Sequence, residues 1–156
     1  MKVLVFAFAD TIAEAVTDEL SSPFVVQKLL LNSSQGAIAT FIKTTDFTQF
    51  THCIGIGVYS GRDQDKIRIE SSCTNKFRNQ GDANQRINIP YFLPADKEFK
   101  IAHGIGNSWC NLVSYTLIKL SPDMPYTFLH IPKKYNVRQA ARSIDAAIAN
   151  TRMRYT

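Results

Sequence analysis

The stretch KVLVFAF at residues 2–8 decides the fold class, because it is a continuous apolar run of strand length with no polar face. Such runs are typical of strands that are buried on both faces of a parallel sheet. The segment TIAE follows at residues 11–14, where Thr11 and Glu14 have the spacing of a capping box that satisfies free backbone amides at a helix start. The sequence therefore opens with a predicted strand–helix unit, and the helix is expected to end near Leu20.

The same alternation of apolar strands and capped helices continues along the chain, with Gly55 and Gly57 allowing close backbone approach in one strand. Lys66 to Glu70 alternate between polar and apolar residues, which predicts a half-exposed strand. The alternation indicates right-handed βαβ units and a mostly parallel, twisted sheet covered by helices on both faces. The predicted elements after the first helix are strands at 24–31, 52–59, 66–70, 100–105 and 126–131, helices at 34–43, 108–120 and 137–150, and a long loop at 74–98.

Length and composition exclude several classes of protein. A chain of 156 residues is expected to form one domain, 1–156, and 45% hydrophobic residues suffice for a core. No segment reaches the roughly 18 uninterrupted apolar residues of a membrane span. The initial apolar run is too short for a signal peptide, and Asp10 and Glu14 follow it, so we expect a cytoplasmic protein without a membrane partner. No glycine-rich phosphate-binding motif follows a predicted strand, and no cofactor is expected.

The three cysteines, Cys53, Cys73 and Cys110, are odd in number and form no C-x-x-C pair. This pattern predicts neither a disulfide framework nor a cysteine zinc site, and we expect no metal. In a reducing compartment all three are thiols, and each is a candidate nucleophile.

The net charge of +5 is concentrated near the end of the chain, where one acidic residue, Asp145, faces several basic ones. Such a stretch can bind nucleic acid, but no aromatic residues are interleaved with it, so a solvated helix face is the favoured interpretation and no nucleic-acid partner is expected. The basic residues are Lys133, Lys134, Arg138, Arg142, Arg152 and Arg154.

Three residues stand where strands end or helices begin, the positions at which sites form in α/β folds. Cys110 falls in the first turn of a predicted helix, where the helix dipole lowers a thiol pKa and free amides can bind an oxyanion. His130 ends an apolar strand and is a candidate general base, and Glu70 is a candidate for orienting its imidazole. The alternative is that Cys110 is a small core residue, His130 a packed residue and Glu70 a solvated one.

The ordered motifs around these residues resemble a known family. Glu70 with Asn75 downstream, then GNSWCN at 106–111, then FLHIP at 128–132, are similar to the pyroglutamyl peptidase I family, also called pyrrolidone-carboxylate peptidases. These are cytoplasmic cysteine peptidases with a three-layer α/β/α sandwich. The resemblance implies that Cys110 is the nucleophile, His130 the base and Glu70 the orienting acid.

The resemblance further implies hydrolysis of the amide bond after an N-terminal 5-oxoproline, through an acyl-enzyme on Cys110. It implies a peptide substrate with a blocked N-terminus, substrate-binding positions at Phe8, Asn75 and Arg78, and assembly as a homo-oligomer, often a tetramer.

The chain departs from the family pattern at the loop that holds the substrate. The family's Pro-Phe-Gly-Gly loop after the first strand is absent, and of that segment only Phe8 matches an aromatic position. Phe77, Tyr91 and Phe92 in the predicted long loop are candidates for a replacement wall, and the alternative is that they only pack locally. The departure leaves a second function open, that of a shortened, non-catalytic relative that binds a peptide or a protein partner.

Overall fold

The computed structural model describes the backbone of residues 1–154 and the side chains of residues 1–151. The side chains of Arg152 and Arg154, part of the predicted basic stretch, therefore lie outside the described residues. The elements are β1 (Val3–Phe8), α1 (Ile12–Glu19), β2 (Val25–Leu31), α2 (Gln35–Thr44), a 3-10 turn (Phe47–Gln49), β3 (His52–Tyr59), β4 (Ile67–Glu70), β5 (Ser72–Phe77), β6 (Gln80–Asn88), β7 (Phe99–Ala102), α3 (Trp109–Leu120), β8 (Tyr126–Pro132) and α4 (Val137–Arg154).

Within residues 1–154, a central sheet of six strands runs in the order β2-β1-β3-β8-β4-β7. Neighbouring strands are parallel except at β4 and β8, which are antiparallel. The predicted mostly parallel sheet is thus confirmed. Its first strand is fully buried along its length, as the apolar run at residues 2–8 indicates.

Helices cover both faces of this sheet, which confirms the three-layer α/β/α sandwich. On one face, α1 and α4 pack against an aliphatic cluster that includes Val5, Ile56 and Ile144. On the other face, α2 and α3 pack against a cluster rich in aromatic side chains, including Phe6 and Phe128. Their rings lie 6.3 Å apart between centroids. The aromatic face is the one on which the candidate site lies.

The helix start predicted at Thr11 is present, but both capping hydrogen bonds come from amides one residue earlier than in the predicted capping box. The Thr11 hydroxyl accepts a hydrogen bond from the amide of Ala13 at 3.1 Å, and the Glu14 carboxylate accepts one from the amide of Asp10 at 2.7 Å. At α3, Ser108 occupies the N-cap but makes no side-chain hydrogen bond to the helix. The first-turn amides of α3 therefore lack the usual capping partner.

Two predicted elements are wrong. The segment 74–98 is not a long loop, because β5 and β6 form an antiparallel hairpin that is separate from the central sheet. The polar composition of the segment arises because β6 is exposed along nearly all of its length. The strand at β4 is buried rather than half-exposed, because it lies between β8 and β7 and its Glu70 points into the molecule.

Candidate active site

His130 and Glu70 meet on the aromatic face of the sheet. Nδ1 of His130 lies 2.8 Å from Oε1 of Glu70, and both side chains are buried. Their strands, β8 and β4, are hydrogen-bonded neighbours, so the sheet register fixes the approach of the two groups. An ionised carboxylate can only accept hydrogen bonds, and the hydrogen of a neutral His130 is therefore assigned to Nδ1. The ring of Phe128 packs edge-on against the imidazole at 5.2 Å between centroids.

Glu70 is fully buried, and the guanidinium of Arg68 supports its charge. Nε of Arg68 donates a hydrogen bond to the same oxygen, Oε1, at 3.0 Å. Burial alone opposes ionisation of the carboxyl. The hydrogen bonds and charge interactions with His130 and Arg68 outweigh burial, and they lower the pKa of Glu70 below its usual value. The other oxygen, Oε2, has no hydrogen-bond partner among the described residues.

Cys110 lies in the first turn of α3, above the backbone of β3. A Cβ added to Gly57 would come within 2.7 Å of the Cys110 sulfur and 3.0 Å of Cδ2 of His130. The sulfur of Cys110 and Cδ2 of the imidazole therefore both border the space that the missing side chain of Gly57 leaves. Gly57 is also the direct partner of His130 in the register between β3 and β8. Any larger residue at this position would separate the thiol from the imidazole.

The ionisation of Cys110 differs from the sequence expectation. The helix start predicts a lowered thiol pKa, but burial raises the pKa of Cys110 to about 12, and the negative charge of Glu70 adds to the rise. The residue's own backbone amide acts in the opposite direction and is too weak to reverse the effect. Among the described residues, no hydrogen bond joins the thiol to His130. The prediction considered only the local helix dipole, whereas removal of the thiol from water by the surrounding core affects its pKa more strongly.

Asn111 attaches the β5–β6 hairpin to the helix that carries Cys110. Its buried amide donates to the carbonyls of Thr74 and Lys76, at 2.9 and 2.6 Å, and accepts from the amide of Thr74 at 2.8 Å. All three of these hydrogen bonds are directed at the backbone of β5. The step from Cys110 to Asn111 thus links the thiol directly to the hairpin.

The three predicted substrate-binding residues are not brought together. Phe8 ends β1 within the aromatic core and is only 4% exposed. Asn75 lies on β5, where its amide donates to Gln85 at 2.6 Å, and it lines a cavity of about 200 Å³ between the hairpin and α3. Arg78 lies at the tip of the hairpin with a φ of 54°. Its guanidinium covers the ring of Trp109, 4.9 Å from the centroid.

The proposed replacement wall is divided between two places. Phe77 packs against Trp109 at 4.7 Å between ring centroids, beside Cys110 in the chain. Phe92 instead packs against His52 at 4.5 Å, and Tyr91 is exposed. Among these three aromatic residues, Phe77 is the one that contacts the residue next to Cys110.

Sequence reasoning missed two residues that contact this site. Arg68 hydrogen-bonds Glu70, and the ring of Tyr59 lies beneath its guanidinium at 4.1 Å from the centroid. The period of two in β4 contains a signal for Arg68, because residues 68 and 70 share one face of a strand. The sequence indicates close backbone approach at Gly57, but it does not predict that Cys110 and His130 both border this residue.

Other kinds of site receive no support within the described part of the chain. No group of three or more His, Cys, Asp or Glu side chains is arranged to hold a metal ion there. None of the helices described up to residue 154 is both long and apolar enough to cross a membrane.

Comparison with known proteins relates the architecture to one group of solved structures. No protein-family model matches the sequence, and no curated protein sequence matches it. The structure is similar to pyrrolidone carboxyl peptidase from Thermus thermophilus, with a TM-score of 0.74 at 15% identity over 94% of this chain and 98% of that one. The structure is also similar to a mutant pyrrolidone carboxyl peptidase from Pyrococcus furiosus, with a TM-score of 0.76 at 16% identity over 100% of both chains.

Pyroglutamyl peptidase I from Bacillus amyloliquefaciens gives a TM-score of 0.74 at 16% identity, over 96% of this chain and 94% of that one. A structural likeness at 15–16% identity shows a shared fold alone.

Proposed function

We propose that this chain is a cysteine peptidase that hydrolyses the amide bond after an N-terminal pyroglutamyl residue. The observation that carries the proposal is the junction at Gly57, which the Cys110 sulfur and Cδ2 of His130 both border, while Glu70 hydrogen-bonds Nδ1 of the ring. Nucleophile, base and orienting acid in this order are the arrangement that activates a thiol or hydroxyl. The shared fold with pyroglutamyl peptidases supports the choice of substrate.

In the proposed reaction, the Cys110 sulfur attacks the carbonyl carbon of the pyroglutamyl residue while its proton passes to Nε2 of His130. The carbon–nitrogen bond then breaks, and the imidazolium gives that proton to the leaving amine. An acyl-enzyme remains, and a water molecule, deprotonated by His130, releases pyroglutamate and restores the thiol. The uncapped amides in the first turn of α3 are suited to stabilise the oxyanion that forms at each stage.

The thiol is proposed to stay protonated until substrate binds. Since burial raises the pKa of Cys110 to about 12, a preformed thiolate is a minor species at neutral pH. His130 then acts as a general base during attack, as a histidine does for a serine nucleophile.

The three free cysteines suit a reducing compartment, and we place the enzyme in the cytoplasm on that ground.

Turnover of a fluorogenic pyroglutamyl amide tests the proposal. We expect hydrolysis by the wild type and a fall of at least about a thousandfold in Cys110→Ala, because the covalent route is lost. Cys73→Ala is the matched control, since this buried thiol lies in β5 and has no proposed role. Equal rates in the wild type and in Cys110→Ala would exclude the proposal.

A second candidate function is that of a non-catalytic protein that binds blocked peptides. The raised pKa of Cys110 and the missing hydrogen bond between thiol and imidazole within the described structure favour it. Calorimetric binding of a pyroglutamyl peptide without any release of pyroglutamate would support this function. Release of pyroglutamate that depends on Cys110 would support the peptidase.

A further inference from the structure

Arg68 occupies a position in the sheet that connects it to both partners of the buried pair. It is the direct cross-strand neighbour of His130 in the antiparallel register of β4 and β8. It also lies two residues before Glu70 on the same strand, so its side chain shares a face with the carboxylate. The register thus directs all three side chains to one side of the sheet.

The guanidinium of Arg68 is held from two directions. Its Nε donates to Oε1 of Glu70 at 3.0 Å, and its Cζ lies 4.1 Å from the centroid of the Tyr59 ring. The side chain is only 13% exposed, and a stacked guanidinium loses little further freedom when it forms a hydrogen bond. This arrangement keeps the cation close to the carboxylate.

The carboxylate of Glu70 needs this cation because its surroundings otherwise oppose a charge. It is fully buried, and within the described residues Oε2 has no hydrogen-bond partner. His130 lowers the pKa of Glu70 through its hydrogen bond, and it adds a compensating charge only while the imidazole is protonated. With a neutral imidazole and no other cation, burial favours the protonated form of the carboxyl group.

We propose that Arg68 is a positioning residue, which keeps Glu70 ionised and directs Oε1 at Nδ1 of His130. The proton of the neutral imidazole then stays on Nδ1, and Nε2 is left free as the base on the side of Cys110. A protonated Glu70 would offer an acid hydrogen to Nδ1 and would favour the other tautomer. The catalytic consequence of this role rests on the proposed peptidase function, whereas the effect on Glu70 does not.

The other groups around the imidazole are few. Tyr59 faces it from β3 at 6.4 Å between ring centroids, and Phe128 faces it from its own strand. From α3 the Cys110 sulfur lies across Gly57. Among the residues described around the ring, Arg68 is the one that is always positively charged. Its removal therefore makes the surroundings of Glu70 and His130 less positive.

NMR measures the titration midpoint of the Glu70 carboxyl group and the tautomer of His130. The measurement uses a Cys110→Ala background, which removes ionisation of the Cys110 thiol. Arg68→Met keeps an unbranched apolar side chain and removes the charge, the donor and the guanidinium that stacks on Tyr59. We expect the titration midpoint of the Glu70 carboxyl carbon to rise by about one pH unit or more, and the His130 hydrogen to shift partly from Nδ1 to Nε2. The signals are assigned by their loss in Glu70→Gln and His130→Gln.

Three further variants make the test specific. Arg68→Lys, which retains the charge, should recover part of the wild-type midpoint and tautomer. Arg142→Gln removes an exposed arginine on the opposite face of the sheet and should change neither. Arg68→Gln gives a second neutral variant if the methionine protein does not fold. An unchanged Glu70 midpoint and an unchanged His130 tautomer in the neutral variants would overturn the proposal.

Kinetic measurements distinguish a failure of the positioning role of Arg68 from a failure of the proposed peptidase function. With Cys110 present, Arg68→Met should lower kcat by about 10–100-fold and change KM by less than about twofold, because it disturbs the base and not substrate binding. If the wild type shows no turnover, the peptidase function fails while the NMR result still decides the role of Arg68. If turnover is present but kcat and the NMR parameters do not change, Arg68 has no positioning role.

Discussion

The two halves of the candidate site are built on different kinds of support. Glu70 and His130 project from adjacent strands, and Arg68 stands beside them in the same register, with hydrogen bonds of 2.8 and 3.0 Å on one carboxylate oxygen. Cys110 projects from the first turn of α3, and its thiol has no hydrogen bond to the imidazole within the described structure. The strand-borne pair is already assembled, whereas the helix-borne thiol is only near its partner.

The difference shows which part of the site can adjust. Sheet register fixes side chains through many backbone hydrogen bonds, so the pair of Glu70 and His130 cannot shift without disturbing β4 and β8. The position of Cys110 depends on how α3 sits over Gly57 and on the hold of Asn111 on the hairpin. Nucleophile–base hydrogen bonds are often long before substrate binds. For the peptidase proposed above, we expect substrate binding to shorten the distance between the Cys110 thiol and the imidazole.

Breaking the strand-borne half should have the largest effect. Glu70→Gln removes the charge and presents an amide, which favours the wrong imidazole tautomer, and we expect turnover of the pyroglutamyl amide to fall by about a thousandfold or more. Because the pKa of Glu70 is lowered in the folded chain, its ionisation stabilises the fold above pH 4.5, the usual value, and this contribution is lost as pH falls through the folded-state value.

Urea unfolding of both proteins checks the second part of this prediction. The wild type should exceed Glu70→Gln in free energy of unfolding by about 1–3 kcal/mol near pH 6, and the difference should shrink below pH 4.5. A difference that grows as the pH falls would contradict the assignment of Glu70 as an ionised group.

Separating the two halves at their junction should have the next largest effect. In Gly57→Ala the new methyl group would lie 2.7 Å from the Cys110 sulfur and 3.0 Å from His130 Cδ2, so one of them must move. We expect kcat to fall by about a hundredfold, as for a displacement of about 1 Å at a reacting group.

Gly55→Ala is the matched control for the junction. Its methyl group would lie 2.6 Å from the rings of Phe6 and Phe128, so it should lower the midpoint of thermal unfolding as well. At temperatures where both variants are folded, kcat should fall more in Gly57→Ala. A greater loss of kcat in Gly55→Ala would show that general destabilisation, and not the junction, controls activity.

The smallest effect is expected in the reactivity of the Cys110 thiol when no substrate is bound. With a raised pKa of about 12, Cys110 should react with iodoacetamide slowly at pH 7, and the rate should rise about tenfold per pH unit up to pH 10. Cys53 and Cys73 are fully buried and should react more slowly than Cys110 throughout. Mass spectrometry of the alkylated peptides follows all three. A fast, pH-independent reaction of Cys110 near pH 6 would indicate a thiolate in the free protein.

Apolar runs predicted the inner strands β1 and β3 well, because burial on both faces is recorded in their composition. The strand at 52–59 has the predicted bounds, and the apolar run at 2–8 is β1 with one residue fewer. The β5–β6 hairpin was missed for the opposite reason. It pairs only with itself within the described chain and exposes β6, so no apolar pattern marks it.

Motif order identified Cys110, His130 and Glu70 as candidates but did not predict their electrostatics. In the structure Glu70 hydrogen-bonds His130 and Cys110 lies across Gly57 from the ring, and their catalytic roles stay predictions. The burial of Glu70, the support from Arg68 and the raised pKa of Cys110 depend on which strands and helices cover each group. These are properties of tertiary contacts between segments distant in the chain, which neighbouring residues do not encode.

The attachment of the hairpin has a consequence for the order of folding. Asn111 bonds the backbone of Thr74 and Lys76, 37 and 35 residues away in the chain, and the amide of Arg78 donates to the carbonyl of Asn107 at 2.7 Å. Contacts at such separations form slowly, since a long loop must close before they do. Docking of the hairpin onto α3 requires a loop of 35 to 37 residues to close, so we expect it to follow the local pairing of β5 with β6.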